Sequence, residues 1–438
     1  MKTRLVPVYF GKANDEEFVA QVNTITDLLT DEADILIPVA IGSSIPDTDA
    51  VVFPQLIGEV YKHIKDIQKI KIPIIIITSE FGTVAMWDWE IVTFMKANGV
   101  KPFTPYDLEM TKTICRALKL KKELGNIKFL VFQDNPGEGM QASIFKRFYW
   151  WENECADLMH KKFGVHIVKK SYRELCETAK AIPDARAEET WKQWSFSCQG
   201  LSTEAIYSAV KIYIAAREIT DQDGSIRGIG SNCLNESFFS DSTPCLAWNM
   251  LYEEKGIVWA CEADTISLLT EYIINKSLNV PVMMSNVYPF LMGMAALKHE
   301  KIDKFPEVKD PDNHILVVHC GYTGLMPRCM CTEWTLKPKV LAIVNEKAVM
   351  ADCRIPIGDV TLVKLHPSFN KLLVIEGDLE EYVQYPGSDC RNGALISVKD
   401  GRKIMADLYS HHDILITGHK GAELKVMAKV LGLDSEEI

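Results

Sequence analysis

The run Gly228–Asp264, GIGSNCLNESFFSDSTPCLAWNMLYEEKGIVWACEAD, limits what this chain can fold into more than any other stretch. It holds two acidic loops. Ile226–Ile229 (IRGI) reads as a short strand, although Arg227 and Gly228 interrupt its apolar character, and Glu236 follows it inside SNCLNES. Ile257–Ala260 reads as a buried strand, and Glu262 and Asp264 follow it inside ACEAD. Between the loops, Thr243–Glu254 reads as a helix, with Pro244 in its first turn and Gly256 just past its end, the positions those residues favour. The predicted order is strand, acidic loop, helix, strand, acidic loop. In a parallel α/β sheet both loops stand at the carboxyl ends of neighbouring strands, where such sheets bind ligands. Two carboxylates forced into one pocket repel, and one keeps a proton unless a cation lies between them. A divalent metal site is therefore the first expectation.

A chain of 438 residues is too long for one ordinary core, so two or three domains are expected. Leu5–Phe10, Asp34–Ile41, Ile72–Thr78 and Lys128–Gln133 read as strands, and helical spacing covers Phe18–Leu29, Val51–Ile70, 84–98 and Tyr106–Leu124. That alternation predicts a doubly wound α/β domain. A mostly helical stretch follows residue 165, and the central sheet then resumes with the two acidic loops and Val280–Ser285. After about residue 305 the pattern changes to short strands at His314–His319, Val340–Val344, Val360–His366, Lys371–Glu376 and Ala394–Val398, which suits an antiparallel sheet or small barrel. The expected fold class is thus α/β: two doubly wound domains, 1–165 and 166–305, then a β-rich C-terminal domain, 306–438.

The net charge of −11 argues against nucleic acid or an acidic membrane surface as a partner. No stretch approaches the roughly 18 uncharged apolar residues of a spanning helix. Residues 1–10 read as a strand and not as a signal peptide, so the 12 scattered cysteines point to reduced thiols in the cytoplasm. Cys329-Met330-Cys331 lacks the spacing of a zinc knuckle. Gly137-Glu138-Gly139 carries an acid where a phosphate cradle needs amides and a lysine, and reads as a strand-to-helix turn.

A third ligand would come from histidine. An imidazole beside two carboxylates suits a borderline divalent ion such as Mn²⁺. His419 follows the strand Asp413–Thr417 and is flanked by Gly418 and Gly421, which let the backbone approach a site closely. His319, also just after a strand, is its rival as a ligand or as a polar group in the pocket. His411 and His412 read as capping the helix before them. Glu262 lies two residues from Asp264; it is either a partner behind the ligands or an acid at the start of the helix Thr265–Ile274.

These pieces together resemble the L-fucose isomerase and L-arabinose isomerase superfamily, the fucose branch in particular. The matching residues are Glu236 of LNES, Asp264 of ACEAD and the glycine-flanked His419, within a three-part layout like the family's. The resemblance implies that Glu236, Asp264 and His419 bind one Mn²⁺ ion, and that Glu236 and Asp264 are also the acid and base moving a proton between C1 and C2 of an aldose through an enediol. It maps substrate contacts onto Gln199 and onto Trp87 of MWDWE, the tryptophan that a neighbouring subunit supplies to the pocket in that family, and so implies a homo-oligomer, trimer or hexamer, with sites near subunit interfaces. Gly418 stands where the fucose branch has an asparagine that touches the sugar, which leaves the sugar open. Two other classes remain: another metal-dependent step on the same scaffold, such as epimerisation or C–C cleavage, and a sugar-binding protein without catalysis.

Overall fold

The computed structural model describes residues 2–56, 60–135, 152–289, 308–319, 326–338, 347–383 and 393–438. The chain divides into two compact units. The first is Met1–Glu123 with short returns at Lys276–Leu278 and Lys429–Leu431, and the second is the remainder.

The first unit is built on a parallel sheet of β1 (Thr3–Tyr9), β2 (Ala33–Ile35), β3 (Val39–Ala40), β4 (Ala50–Phe53) and β5 (Ile74–Ile76). Its order is β2-β1-β4-β5, and β3 pairs with the far end of β1. Val6, Val51, Phe53, Ile74 and Ile76 form its core with Val92 and Met95 from the helix Trp89–Ala97. The strand β4 corrects the helix expected over Val51–Ile70. Val51, Val52 and Phe53 are all buried, and a β-branched pair ending in an aromatic favours the pleated state over the helix. Only the short turns Val60–His63 and Ile64–Ile67 remain helical in that stretch.

The second unit starts with a parallel sheet of β6 (Lys128–Phe132), β7 (His166–Lys170), β8 (Ile226–Ser231) and β9 (Val258–Cys261), in the order β7-β6-β8-β9. The boundary expected at residue 165 falls inside this sheet. β6 precedes it, yet β6 hydrogen-bonds to β7 and β8 beyond it, so the division lies between Glu123 and Leu124. The helix expected between the acidic loops is present as Cys245–Lys255, with Pro244 at its N-cap and Gly256 closing it in the left-handed conformation at φ 62°.

The rest of this unit is antiparallel. It comprises β10 (Met283–Pro289), β11 (His314–Val318), the ribbon β12 (Glu333–Pro338) with β13 (Val349–Arg354), then β14 (Gly358–Leu365), β15 (Lys371–Val383), β16 (Gly393–Val398), β17 (His412–Thr417) and β18 (Asp434–Glu437). The path β14-β17-β10-β11-β16-β15 closes on itself through β14–β15 pairing, and β18 adds to β15 in parallel. Closure removes the open edges that a flat antiparallel sheet would expose. Two expectations change here. β10 belongs to this closed sheet and not to the central parallel one, because its neighbours are β11 and β17, both antiparallel. For the same reason residue 305 marks no boundary: β10 before it pairs with β11 after it. The strand expected at Val340–Val344 and the turn Gly137–Gly139 lie outside the described residues.

One strand of this sheet serves two neighbours along the same edge. β15 pairs with β18 over Lys371–Val374 and with β16 from Gly377 onward. At the change-over a Cβ on Gly377 would stand 2.5 Å from the Ser397 carbonyl oxygen and 2.8 Å from Ile396 Cγ2. Gly377→Ala should therefore force the strands apart and lower stability by about 1–3 kcal/mol. Denaturant unfolding checks this, and an unchanged midpoint would contradict the close approach. No helix among the described residues is long and apolar enough to cross a membrane.

Candidate metal centre

β8 and β9 are parallel neighbours, paired from Gly228 with Val258 to Ser231 with Cys261, so both acidic loops leave the same end of one sheet. The chain after β9 turns sharply. Glu262 and Ala263 both sit at φ 57°, a left-handed conformation that costs non-glycine residues about 1–2 kcal/mol each. The turn is held by the Ala263 N–H on the Ser231 carbonyl at 2.9 Å and the Asp264 N–H on the Cys261 carbonyl at 3.1 Å. Gly230 makes room for it, since a Cβ there would lie 3.3 Å from Ala263 Cα. The turn separates the two acids of ACEAD, and they reach different partners.

Asp264 is fully buried and caps the helix Thr265–Leu278. Its Oδ1 accepts the N–H groups of Ile266 and Ser267 at 3.0 and 2.9 Å. Its Oδ2 accepts Ser267 Oγ at 2.8 Å, Lys364 Nζ at 3.0 Å and His412 Nδ1 at 2.9 Å. Those donors fill the roughly four lone-pair sites of a carboxylate. Burial pushes the Asp264 carboxyl up, but the Lys364 ammonium, the His412 ring and the Ser267 N–H outweigh it and hold the group well below the usual carboxylate range. Asp264 is thus an ionised acceptor saturated by its neighbours.

His412 opens β17, where it pairs with Asn286 of β10. Because Asp264 takes Nδ1, the other ring nitrogen faces Glu262: His412 Nε2 lies 3.9 Å from Glu262 Oε1. The His411 ring lies beside it, tilted by 51° with ring centroids 4.0 Å apart. Glu262, His411 and His412 each offer a ligand atom, and these atoms all lie within 4.8 Å of one another. A carboxylate and two imidazoles suit a borderline divalent ion. A ligand histidine whose second nitrogen donates to a buried carboxylate is the usual way such a ring is oriented. Burial, and then the charges of His412 and Lys364, press the His411 pKa well below its ordinary value, which favours the neutral form that binds metal.

The remaining expected residues fall elsewhere. Glu236, at the end of the short helix Cys233–Glu236, is buried with its carboxylate on the N–H groups of Asp134 (2.9 Å) and Asn135 (2.6 Å) and on the Asn232 amide (3.0 Å). Burial raises its pKa, and those donors oppose the shift only in part. His419 is not beside Asp264. Its side chain is 41% exposed in the turn after β17, and its Nε2 donates to the Gly377 carbonyl at 3.2 Å and lies 3.6 Å from Asp378 Oδ1. With Asp359 and Asp378 it forms a separate, exposed group. The imidazole from the tail that meets Asp264 is His412, and the expected trio Glu236, Asp264 and His419 is not assembled. Asp264 and Glu262 also meet opposite sides of one ring, Asp264 at His412 Nδ1 and Glu262 toward its Nε2. His411 and His412 do not cap a helix, because the preceding helix, Gly401–Asp407, ends at Leu408 and His412 is already in the strand.

His319 does reach the carboxyl end of β9. It is buried with Nε2 3.1 Å from Cys261 Sγ and its ring edge-on to Trp259 at 6.2 Å. Gln199 is exposed, and its backbone N–H donates to the Leu336 carbonyl at 2.8 Å. Trp87 belongs to the first unit, in the turn Met86–Asp88, and is 82% exposed. Lys364 lies in the strand β14, and nothing in its local sequence marks it as part of a site.

No family model matches the chain, and no curated protein matches it. Among solved structures the chain is similar to a periplasmic sugar-binding protein from Pseudomonas fluorescens, at 13% identity over 62% of this chain and 80% of that one, with a TM-score of 0.16. A likeness at that score carries no argument.

Proposed function

We propose that the protein is a divalent-metal-dependent aldose–ketose isomerase whose ion, Mn²⁺ or a similar cation, is held by Glu262, His411 and His412. The observation that carries this reading is the His412 ring, anchored through Nδ1 on Asp264 and turned through Nε2 toward Glu262. A bound ion would polarise the carbonyl of an open-chain sugar and favour loss of the neighbouring C–H proton. Asp264 keeps the His412 ring oriented. Glu236 suits the proton-carrying role, because burial raises its carboxyl pKa above the ordinary value, the direction a general acid needs. The strand order β7-β6-β8-β9 is that of a doubly wound sheet. Its order reverses between β6 and β8, and such sheets bind ligands outside the carboxyl ends at that point. Glu236 sits there, bonded to the N–H groups that follow β6.

The homo-oligomer belongs to the same reading. Trp87, Met86, Phe81 and Tyr106 are all more than half exposed on the first unit, and burial of such groups between copies of the chain is what an interface would supply. The test is a panel of pentoses, hexoses and deoxyhexoses in deuterated water with Mn²⁺, followed by NMR. Expected are ketose formation, deuterium at C2, loss of both with EDTA and return with Mn²⁺. A metal-loaded preparation that exchanges deuterium into none of them ends the isomerase reading. Tight sugar binding by metal-free protein with no exchange would instead favour a carrier.

A further inference from the structure

Lys364 stands out among the buried groups. It lies on β14 between Val363 and Leu365, all three buried, and an ammonium in such surroundings needs specific partners. Among the described residues it has two: Asp264 Oδ2 at 3.0 Å and Ser267 Oγ at 2.5 Å. Ser267 Oγ in turn donates to the same Asp264 oxygen that takes the His412 ring. A chain of contacts therefore runs from the closed sheet, through the carboxylate after β9, to the imidazole on β17.

We propose that Lys364 is a positioning residue for the metal centre: it fixes the Asp264 carboxylate as a pure acceptor, so that His412 must donate from Nδ1 and present Nε2 to the ion. The inference rests on the metal-site reading above and adds to it. A buried ion pair contributes little to stability compared with apolar residues of the same size, so packing alone gives no reason for a lysine at this point. What the ammonium does supply is direction. Asp264 Oδ2 already accepts Ser267 Oγ and Lys364 Nζ, so it meets the ring as an acceptor, the hydrogen of that contact is on Nδ1, and Nε2 is the nitrogen on the Glu262 side. Without the ammonium, the carboxylate loses one of the donors that hold its plane, and the ring loses a fixed anchor.

The experiment is a Co²⁺ titration of the full chain, read by the visible d–d bands, for wild type, His412→Ala, Lys364→Met and Ser267→Ala, with circular dichroism recorded on each. Expected for the wild type are bands that His412→Ala abolishes. Lys364→Met should weaken Co²⁺ binding by about 10–100-fold, the range for partners that orient a ligand, and should shift the bands. Ser267→Ala should shift both in the same direction by less, and it serves as the reading if Lys364→Met does not fold. Wild-type affinity and spectrum in the folded Lys364→Met protein, or in Ser267→Ala where that variant is the reading, would overturn the role of Lys364 and leave the metal site standing. A wild type with no His412-dependent bands would overturn both.

Discussion

Replacing Asp264 with alanine is expected to cost about 3–5 kcal/mol of stability, the range for removing one member of a buried charge pair. The reason lies in what is left behind. Lys364 is buried, and its hydrogen bonds among the described residues are to this carboxylate and to Ser267 Oγ. The N–H groups of Ile266 and Ser267 would lose the cap of the helix Thr265–Leu278, which by itself is worth about 1 kcal/mol. The His412 ring would lose the acceptor on Nδ1. Asp264→Asn keeps the shape and removes the charge, and should fall between wild type and alanine. Denaturant unfolding measures both, and an alanine variant within about 1 kcal/mol of wild type would show that the three groups do not depend on this carboxylate.

Glu262→Gln should behave in the opposite way. It should leave the unfolding midpoint nearly unchanged and reduce metal affinity by more than the roughly 100-fold that marks the upper range for outer partners, with turnover lost alongside. Glu262 sits at φ 57° and faces His412 Nε2 at 3.9 Å. The strained backbone is indifferent to whether the side chain ends in a carboxylate or an amide. A divalent ion is not, since the amide removes the negative charge that offsets it. Calorimetric titration with Mn²⁺, run beside thermal unfolding, separates the two effects. Equal affinity in wild type and Glu262→Gln would remove Glu262 from the ligand set.

The contrast between these variants bears on what could be read from the chain. Val258–Cys261 is a run of apolar residues between Gly256 and an acidic tripeptide, so its place as a buried strand with acids at its end followed from composition and punctuation. Pro244 and Gly256 fixed the helix before it for the same local reasons. The Val51–Ile70 stretch misled because apolar spacing suits a buried strand followed by short turns as well as it suits a helix. The histidine was harder. His419, between its glycines, has the local appearance of a ligand, whereas His412 reaches Asp264 only through the register of β17 against β10, two strands more than 100 residues apart in sequence. Which of Glu262 and Asp264 faces forward was also hidden, because it turns on two consecutive left-handed residues that carry no glycine signal. Lys364 was out of reach for the same reason as His412: its partner is 100 residues away.

The most direct measurement is an anomalous difference map from crystals grown with Mn²⁺. The expected result is a peak bonded to Glu262, His411 and His412, with Asp264 behind the His412 ring and not on the ion. A map with no density there, or with its strongest peak at Asp359, Asp378 and His419, would contradict the assignment of the centre.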